Sequence, residues 1–353
     1  FCMFTVSRIP LSIVVRRIEL SFLCKYCSIS TAMENQKKFK IVVTDRSLSL
    51  PKLAQIADIY YNKSPGTMDR EELLRAAADA DGILCLLRDR IDGEFLDHAK
   101  KLKVVSTVSV GFEHVDIQAC RDRDVKVGNT PDVLTDTTAE LGCTLVLCGA
   151  RGIRNAINVA NSGEFPPWSP FLNCTMGVKD MVVGIFGLGR IGTAIAERLK
   201  PFKPREIIYH KRRKMEDSEF RYVSFDELNT TSDIIVICAD AATCPPKTFN
   251  YQFFRKMKKT AIIVNIARGS LVDHDDLAEA LVQKELGGAA LDVTDPEPLP
   301  RSHKLHSLDN CLITPHIGSA TFNTREAMVN LAENNLYNGL VGRGKFIGPV
   351  GLL

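Results

Sequence analysis

The strongest constraint on the fold is a strand, a glycine-rich turn and a helix that follow one another over residues 181–199. An apolar run ends at Phe186, the turn reads GLGRIG, and the helix-like segment IGTAIAERL places Ala and Ile at its packing positions. Gly187 permits the tight turn, Gly189 lets the backbone approach a pyrophosphate, and Gly192 allows close contact between helix and strand. The motif alone is a weak signal, but in this context it predicts a dinucleotide-binding turn.

Short apolar runs alternate with helix-like segments along the rest of the chain, which is the pattern of parallel βαβ units. Six strands are predicted in the second half, at Met181 to Phe186, Glu206 to Tyr209, Ile234 to Cys238, Ala261 to Ile266, Gly288 to Val293 and Cys311 to Thr314. The first half is predicted to form strands at Phe39 to Thr44, Gly82 to Leu87 and Val104 to Val108, and helices at Arg70 to Ala80 and Gly93 to Leu102. The predicted fold class is α/β, with a doubly wound parallel sheet and a smaller α/β unit.

A long helix is predicted between these two units, over Asp136 to Ala150. Thr135 and Asp136 are suitable capping residues at its start. Because the segment is apolar on most sides, we expect it to be buried between two domains. The helix after Thr321 is expected to pack outside the large sheet.

Length and charge narrow the class of protein. The chain has 353 residues, 45% of them hydrophobic, which is typical of two folded domains. The net charge of +3 is contributed by residues 1–32, and the remainder is neutral without a basic stripe, which argues against nucleic acid as the partner. The eleven cysteines form no disulfide framework, and most lie in apolar runs, as buried thiols in a reducing compartment do. The single CxxC, Cys24 to Cys27, lacks further zinc ligands, so no metal site is predicted.

Residues 1–36 are interpreted as a separate segment. Residues 1–32 are basic, and Met33 follows them shortly before the first predicted strand. Two interpretations remain open, a transit-type leader or translated sequence upstream of a start at Met33, and we favour the second because amphipathic regularity is weak. The run Leu11 to Leu23 is too short and too charged to span a membrane. The expected location is cytoplasmic, or mitochondrial if the segment is a transit peptide.

The sequence HKRRK at residues 210–214 indicates which dinucleotide is preferred. An NAD-specific site presents an acid to the ribose hydroxyls at this place, after the second strand of the sheet. An acid would repel a 2′-phosphate, whereas guanidinium groups can hold it through paired hydrogen bonds. We therefore predict a preference for NADP(H), with Arg212 and Arg213 as its contacts and NAD(H) as an alternative cofactor. A solvated basic turn is the competing interpretation.

Three side chains further along are suited to reducing a 2-keto acid. His316 follows a strand and a proline and is a natural proton donor near neutral pH. Glu297, between two prolines, would keep that histidine protonated and oriented, and Arg268 would hold the substrate carboxylate. Each residue type alone is commonly inert, so the prediction depends on their order behind the glycine turn. Asp292 is expected either to orient the nicotinamide amide or to cap the loop after its strand.

Several longer motifs resemble those of the D-isomer-specific 2-hydroxyacid dehydrogenases, most closely the glyoxylate reductase/hydroxypyruvate reductase group. They are SVGFEHVD, TPDVLTDTTAELG, VVGIFGLGRIG, NIARGSLVD, LDVTDPEPLP and PHIGSAT, and the similarity spans about Lys38 to Gly339. The resemblance implies a Rossmann-like dinucleotide-binding domain over residues 134–317. It also implies a smaller, flavodoxin-like substrate domain that is discontinuous, with residues 37–133 completed by a C-terminal helix in residues 318–353. A homodimer acting on a small 2-keto acid follows from the same resemblance.

The resemblance also assigns residues to the site. It implies that the substrate lies beside the backbone N–H groups of Val110 and Gly111, with Arg268, His316 and Ser319 around it. The pyrophosphate of the cofactor would be contacted by Gly187, Gly189, Arg190, Ile191 and Gly192. Its nicotinamide side would be contacted by Ile266, Asp292 and Gly318. Trp168 is similar to a tryptophan that reaches into the neighbouring subunit's active site, and ordinary packing is the alternative.

Two departures from the family pattern concern substrate choice. The segment Ala239 to Phe249 does not keep the usual Thr-Pro-x-Thr turn, and Arg88 replaces a small polar residue near the substrate mouth. The leading hypothesis is NADPH-preferring reduction of glyoxylate and hydroxypyruvate to glycolate and D-glycerate. The alternatives are a nucleotide-sensing corepressor of the same fold, an inactive descendant, or a dehydrogenase of another small 2-keto acid.

Overall fold

The computed structural model describes residues 38–163 and 167–349. The expectations for residues 1–36, including Cys24, Cys27 and Met33, lie outside the described residues. Two parallel sheets form the framework, one of five strands and one of seven. This is the α/β class that the alternating pattern predicted.

The small sheet consists of β1 (Phe39–Val43), β2 (Ala57–Tyr61), β3 (Gly82–Cys85), β4 (Val104–Thr107) and β5 (Lys126–Gly128). The large sheet consists of β6 (Val182–Phe186), β7 (Glu206–His210), β8 (Arg221–Tyr222), β9 (Ile234–Ile237), β10 (Ile262–Asn265), β11 (Gly288–Leu291) and β12 (Cys311–Ile313). The helices are α1 (Arg70–Ala77), α2 (Gly93–His98), α3 (Ile117–Asp122), α4 (Thr135–Ala150), α5 (Ile153–Ser162), α6 (Arg190–Leu199), α7 (Phe225–Thr231), α8 (Tyr251–Lys256), α9 (His274–Val282) and α10 (Phe322–Val341).

The small sheet has the strand order β2-β1-β3-β4-β5, which is the flavodoxin-like order. One face is covered by a cluster that includes side chains of α1 and α2, such as Leu73 and Phe95. The other face is covered by α10, whose Met328, Ala332 and Leu336 share a core with strands β1, β3 and β4. The C-terminal helix therefore packs on the small sheet, outside the large one, as predicted.

The large sheet has the order β12-β11-β10-β9-β6-β7-β8, in which the chain reverses direction between β6 and β9. Helices α4 and α6 share a core with one face, and α8 and α9 share a core with the other. Open sheets of this kind form a crevice beyond the carboxyl ends of the strands at such a switch point. The glycine-rich turn after β6 lies there, and the strands β10, β11 and β12 carry the predicted site residues at the same edge.

The predicted strands are present, with ends shifted by at most two residues, but the sequence analysis missed three strands. Strand β2 is an edge strand with a mostly half-buried pattern, while β5 and β8 contain three and two residues. Such short segments have no periodicity from which a strand could be recognised. All three lie at or next to a sheet edge, where their neighbours supply the pairing.

Two predictions about helix α4 were wrong. Its N-cap is Leu134, and no side chain makes a capping hydrogen bond, so Thr135 and Asp136 do not act as caps. The helix is also less enclosed than predicted, because Glu140 and Thr144 are exposed on the face opposite its buried residues. Its buried face packs on α6 and on strands of the large sheet.

Candidate active site

The glycine-rich turn has the close contacts that its sequence predicts. Gly187 has a φ of +97°, and a Cβ atom there would lie 2.5 Å from the backbone nitrogen of Ala239. A Cβ on Gly192 would overlap the carbonyl oxygen of Gly187. Beside Gly189, in contrast, a Cβ would meet nothing within 4 Å. The turn is therefore packed tightly on its protein side and open at Gly189, where α6 begins, which fits the approach of a diphosphate to a helix N-terminus.

The turn after β7 carries positive charge and no acid. His210 ends the strand, stacks on Phe186 at a ring distance of 5.8 Å, and contacts the carbonyl of Val223 through Nδ1 at 2.8 Å. The Nζ group of Lys211 donates to the carbonyl of Leu188, within the glycine-rich turn, at 3.2 Å. Arg212 and Arg213 are exposed, and no partner for either is found among residues 38–163 and 167–349.

His316 and Glu297 form a hydrogen-bonded pair at the carboxyl edge of the sheet. The Nδ1 atom of His316 lies 2.6 Å from Oε1 of Glu297, and the side chains are 30% and 42% exposed. Burial alone would raise the pKa of Glu297, but the hydrogen bond and charge of His316, together with the charge of Arg268, lower it overall. The carboxylate therefore stays ionised, and it leaves Nε2 of the imidazole available to a ligand.

The loop that carries His316 is held by the buried carboxylate of Asp292. Its Oδ1 atom accepts from the hydroxyl of Thr314 at 2.6 Å and from the N–H of Ile317 at 2.9 Å, while Oδ2 accepts from the N–H of Gly318 at 2.8 Å. His316 itself has a φ of +54°, a region that non-glycine residues rarely occupy. Such strain persists only where the surroundings determine the backbone, and Asp292 supplies that constraint. Asp292 therefore holds the loop after β12, whereas the sequence analysis considered a cap on the loop after its own strand, β11; its contact with the nicotinamide stays a prediction.

Arg268 is positioned by the turn that follows β10. The side chain of Asn265, fully buried, accepts from the N–H of Ala267 at 3.0 Å and donates to the carbonyl of Arg268 at 2.9 Å. The Nη1 group of Arg268 donates to the carbonyl of Ala267 at 2.8 Å. Asn265 is thus a positioning residue that the sequence analysis missed, although it stands in the NIARG motif.

The other edge of the Arg268 guanidinium pairs with Glu113, which follows β4. The Nε atom of Arg268 lies 3.3 Å from Oε1 of Glu113, and Nη2 lies 3.4 Å from Oε2. Both side chains crowd over Gly111, where a Cβ atom would overlap Nη2 of Arg268 and lie 2.6 Å from Oε2 of Glu113. The loop after β4 and the turn after β10 therefore meet across the crevice between the two sheets.

A hydrogen-bond relay lies beneath the loop after β4. Nε2 of His114 contacts the hydroxyl of Thr107 at 3.0 Å, that hydroxyl lies 2.8 Å from the hydroxyl of Ser109, and Ser109 donates to the carbonyl of Gly111 at 2.7 Å. Because Ser109 donates its proton to the carbonyl of Gly111, it accepts from the hydroxyl of Thr107. Thr107 in turn accepts from Nε2 of His114, so Nε2 carries a proton. The Nδ1 atom of His114 is buried and has no partner among the described residues. Burial lowers the pKa of His114 to about 4, the charge of Glu113 opposes this and that of Arg268 adds to it, so the ring is neutral.

The two peptide groups that were predicted to bind a carboxylate are oriented through their carbonyl oxygens. The carbonyl of Val110, in the same peptide group as the N–H of Gly111, accepts from the side chain of Asn129 at 2.8 Å. The carbonyl of Ser109, in the same peptide group as the N–H of Val110, accepts from the N–H of Thr130 at 2.8 Å. No acceptor for the N–H groups of Val110 and Gly111 occurs among residues 38–163 and 167–349. Two oriented donors therefore lie next to the guanidinium of Arg268, an arrangement that suits a small anion.

The remaining predicted cofactor and substrate residues occupy less open positions. Ile191 packs partly into both cores, and Ile266, only 8% exposed, lies in the core under the large sheet. Ser319 is 9% exposed and follows the His316 loop. Arg190 begins α6 and pairs with Asp132 at 2.8 Å on the surface.

The two departures from the family pattern have defined structures. Arg88 is held by Asp45 at 2.7 Å and by the carbonyl of Gly66 at 3.0 Å, so its guanidinium is engaged within the small sheet's loops. The segment Ala239 to Phe249 starts directly against Gly187 and includes a short 3-10 turn at Ala241–Thr243. It therefore forms one wall of the glycine-rich turn.

In the part of the chain that the structure describes, no group of three or more His, Cys, Asp or Glu side chains is placed to hold a metal ion. No helix within the same residues is long and apolar enough to cross a membrane. The buried thiols of Cys85, Cys120, Cys143 and Cys311 are free.

Comparison with known proteins identifies the family. Residues 143–318 match the D-isomer specific 2-hydroxyacid dehydrogenase, NAD binding domain family. The chain is 46% identical over 297 residues to the human glyoxylate reductase/hydroxypyruvate reductase, which covers 82% of this chain and 90% of that protein.

Solved structures agree with this match. The TT0316 protein from Thermus thermophilus superposes with a TM-score of 0.80 at 37% identity, covering 86% of this chain and 97% of that one. An NADPH-dependent glyoxylate/hydroxypyruvate reductase from Sinorhizobium meliloti, solved with NADP and malonate, superposes with a TM-score of 0.77 at 28% identity, covering 89% and 97%. This chain therefore belongs to the D-isomer-specific 2-hydroxyacid dehydrogenases, a family of NAD(P)-dependent oxidoreductases.

Proposed function

We propose that this enzyme reduces glyoxylate and hydroxypyruvate to glycolate and D-glycerate, with NADPH as the preferred reductant. The observation that carries the proposal is the His316–Glu297 pair, with its 2.6 Å hydrogen bond, at the carboxyl edge of the large sheet. Arg268 lies close enough for its charge to lower the pKa of Glu297. The relatives named as glyoxylate reductases or as glyoxylate/hydroxypyruvate reductases support this choice of substrates.

The loop after β4 and Arg268 would bind the substrate. The N–H groups of Val110 and Gly111 would donate to the carboxylate, and Arg268 would neutralise it and polarise the neighbouring C2 carbonyl. Ser319 would lie beside the same ligand. The hydrogen bonds from Asn129 to the carbonyl of Val110 and from Thr130 to the carbonyl of Ser109 keep these donors in place before the substrate arrives, which reduces the ordering that binding requires.

His316 would supply the proton. The bound cofactor supplies the hydride that reaches C2, and Nε2 of His316 donates the proton that the C2 oxygen takes up, so the carbonyl becomes a hydroxyl. Glu297 holds Nδ1 and stabilises the protonated ring before the transfer. Asp292 keeps the His316 loop in its strained conformation without itself exchanging a proton.

The residues present fit a dinucleotide phosphate. The open side of Gly189 at the start of α6 would receive the pyrophosphate, lined by Gly187, Arg190, Ile191 and Gly192. Ile266, Asp292 and Gly318 would lie towards the nicotinamide. The exposed Arg212 and Arg213 support NADP(H) over NAD(H), because an additional phosphate would give both guanidinium groups a partner.

Each of the two sheets would form the centre of a domain with its own binding role. We assign dinucleotide binding to residues 134–317 and substrate binding to residues 37–133 with residues 318–353. The crevice between them contains Glu113 and Gly111 on one side and Arg268 on the other.

We also propose that the enzyme is a homodimer. Helix α5 buries none of its residues, and Ile153 and Ile157 are 37% and 52% exposed. Trp168 and Phe171, further along, are 84% and 89% exposed. A second copy of the same surface would cover these apolar side chains. Light scattering should give twice the chain mass for the wild type, and Ile157→Asp should shift it towards the monomer; a monomeric wild type would contradict the proposal.

A substrate panel tests the reaction. The purified protein is mixed with NADPH or NADH and with glyoxylate, hydroxypyruvate, pyruvate or phosphohydroxypyruvate, and the loss of cofactor absorbance is followed. We expect the highest kcat/KM for glyoxylate and hydroxypyruvate with NADPH. Turnover of none of the four acids would contradict the proposed reaction, and a lower KM for NADH than for NADPH would contradict the proposed cofactor preference.

A further inference from the structure

The guanidinium of Arg268 has protein partners on both of its edges. One nitrogen, Nη1, donates to the backbone carbonyl of Ala267 at 2.8 Å. The opposite edge, formed by Nε and Nη2, faces both carboxylate oxygens of Glu113 at 3.3 Å and 3.4 Å. A carboxylate ligand would need that same edge for paired hydrogen bonds, so ligand and Glu113 compete for it.

Glu113 can be displaced from this edge of the guanidinium because its side chain is partly exposed and its contacts with Arg268 are long. It lies on the loop after β4, 155 residues before Arg268, and its side chain is 33% exposed. Its contacts with Arg268 are long for charge-assisted hydrogen bonds, which are usually about 2.7–2.9 Å. An ion pair that is long and partly solvated is weak, and a better placed anion can displace it.

The pair also lies where the ligand is expected. A Cβ atom on Gly111 would overlap Nη2 of Arg268 and come within 2.6 Å of Oε2 of Glu113. The N–H groups of Val110 and Gly111, which have no acceptor within the described ranges, belong to the same loop. A bound acid would therefore lie next to Glu113 even after the ion pair has opened.

We propose that Glu113 is a specificity-determining residue that competes with anions for Arg268 and selects acids that carry a single negative charge. This inference rests on the proposed function of the site. A monoanion replaces Glu113 at Arg268 and leaves the local charge balanced. A second negative charge on the ligand would lie close to the displaced carboxylate, and like charges at such distances repel.

Binding of two isosteric anions tests the proposal without depending on turnover. Oxamate carries one negative charge and oxalate two, and both resemble glyoxylate in size. Calorimetry on the NADPH-saturated enzyme gives both dissociation constants for the wild type, Glu113→Gln and Glu113→Asp. We expect Glu113→Gln to tighten oxamate binding by about threefold and oxalate binding by at least about tenfold, because the competitor and the repulsion are both removed. Glu113→Asp keeps the charge and should keep the wild-type ratio.

Asp116→Asn is a matched control. Asp116 lies three positions further along, is exposed, and caps α3 by accepting from the N–H of Ala119 at 2.9 Å. Asparagine caps a helix about as well as aspartate, so this variant removes one negative charge near the site without changing a contact of Arg268. It should leave both dissociation constants within about twofold of the wild type, because a charge at that distance in water is screened.

The outcomes separate this proposal from the proposed reaction. An unchanged oxamate-to-oxalate ratio in Glu113→Gln, weaker binding of both anions, or no binding to any variant would overturn the role of Glu113, with thermal unfolding used to verify that each variant is folded. If the anions behave as expected while the wild type reduces no keto acid, the reaction is refuted and the anion selectivity stands. In steady-state assays, Glu113→Gln should lower the KM for glyoxylate about threefold with kcat within about twofold.

Discussion

The imidazole Nδ1 of His316 lies 2.6 Å from Oε1 of Glu297, and this pair joins the loop after β12 to the loop after β11. The pKa of Glu297 is lowered despite its burial, mainly through its hydrogen bond with His316. The carboxylate therefore stays charged and holds the ring through Nδ1.

Replacing Glu297 by Gln should slow the reaction. The amide keeps the size of the side chain but removes the carboxylate that contacts Nδ1 of His316 at 2.6 Å. We expect kcat/KM for glyoxylate to fall at least about tenfold while the dissociation constant for NADPH stays within about twofold, because the ring loses the partner that orients it for proton transfer. An unchanged kcat/KM would contradict the role of Glu297.

His114 should make the protein less stable in mild acid. Its pKa of about 4 in the folded protein lies below the ordinary value of 6.5, so the unfolded chain binds more protons between these values. Stability is therefore lost as pH falls from about 6.5 towards about 4, by about 2 kcal/mol at pH 5. His114→Gln places an amide donor where Nε2 contacts Thr107 and removes the titration, so denaturant unfolding should change less between about pH 7.5 and about pH 5.

His98 supplies the control for that experiment. It is exposed at the end of α2 and lies outside the relay, so His98→Gln should change the free energy of unfolding at about pH 7.5 by less than about 0.5 kcal/mol. A pH dependence that is the same in His114→Gln and in the wild type would contradict the neutral, buried state of His114.

Two glycines of the same turn should respond differently to alanine. Gly187→Ala introduces a Cβ 2.5 Å from the backbone of Ala239 at a φ of +97°, and we expect a loss of at least about 2 kcal/mol in stability. Gly189→Ala meets nothing within 4 Å, so the fold should be kept to within about 1 kcal/mol. Its methyl group would instead occupy the space of a diphosphate and weaken NADPH binding at least about tenfold. Wild-type NADPH affinity in Gly189→Ala would argue against this location of the cofactor.

The cofactor preference depends on Arg212 and Arg213. Replacing both by Ala removes two exposed cations that have no partner within residues 38–163 and 167–349. Since a hydrogen bond to a charged group contributes about 1.5–3 kcal/mol, the KM for NADPH should rise at least about tenfold. The KM for NADH should stay within about twofold of the wild-type value, because NADH has no 2′-phosphate for these side chains to contact. Equal changes with both cofactors would contradict the assignment.

Local sequence signals predicted the central part of the fold. The strand β6, the glycine turn and the helix α6 follow one another without interruption, so the spacing of apolar residues and glycines was sufficient. The strands β5 and β8 were missed because three and two residues show no period. The start of α4 was predicted from Thr135 and Asp136, which are suitable capping residues. The N-cap is instead Leu134, and the helix begins without a side-chain capping hydrogen bond.

Contacts between distant segments explain what was missed at the site. Arg268, Glu297 and His316 were predicted because each stands in a recognisable motif after a strand. The partner of Arg268, Glu113, lies 155 positions away, and nothing in the local pattern distinguishes it from a solvated carboxylate. The neutrality of His114 likewise depends on its burial against Thr107, which only the folded chain shows.

The rate of NADPH oxidation with glyoxylate, measured for the wild type and for His316→Ala side by side, tests the central claim most directly. The wild type should turn over, and the variant should lose at least about a hundredfold in kcat while its dissociation constant for NADPH stays within about threefold. Such a split would assign proton donation to His316 and leave the glycine-rich turn intact. Equal turnover by the two proteins, or no turnover by the wild type, would contradict the account.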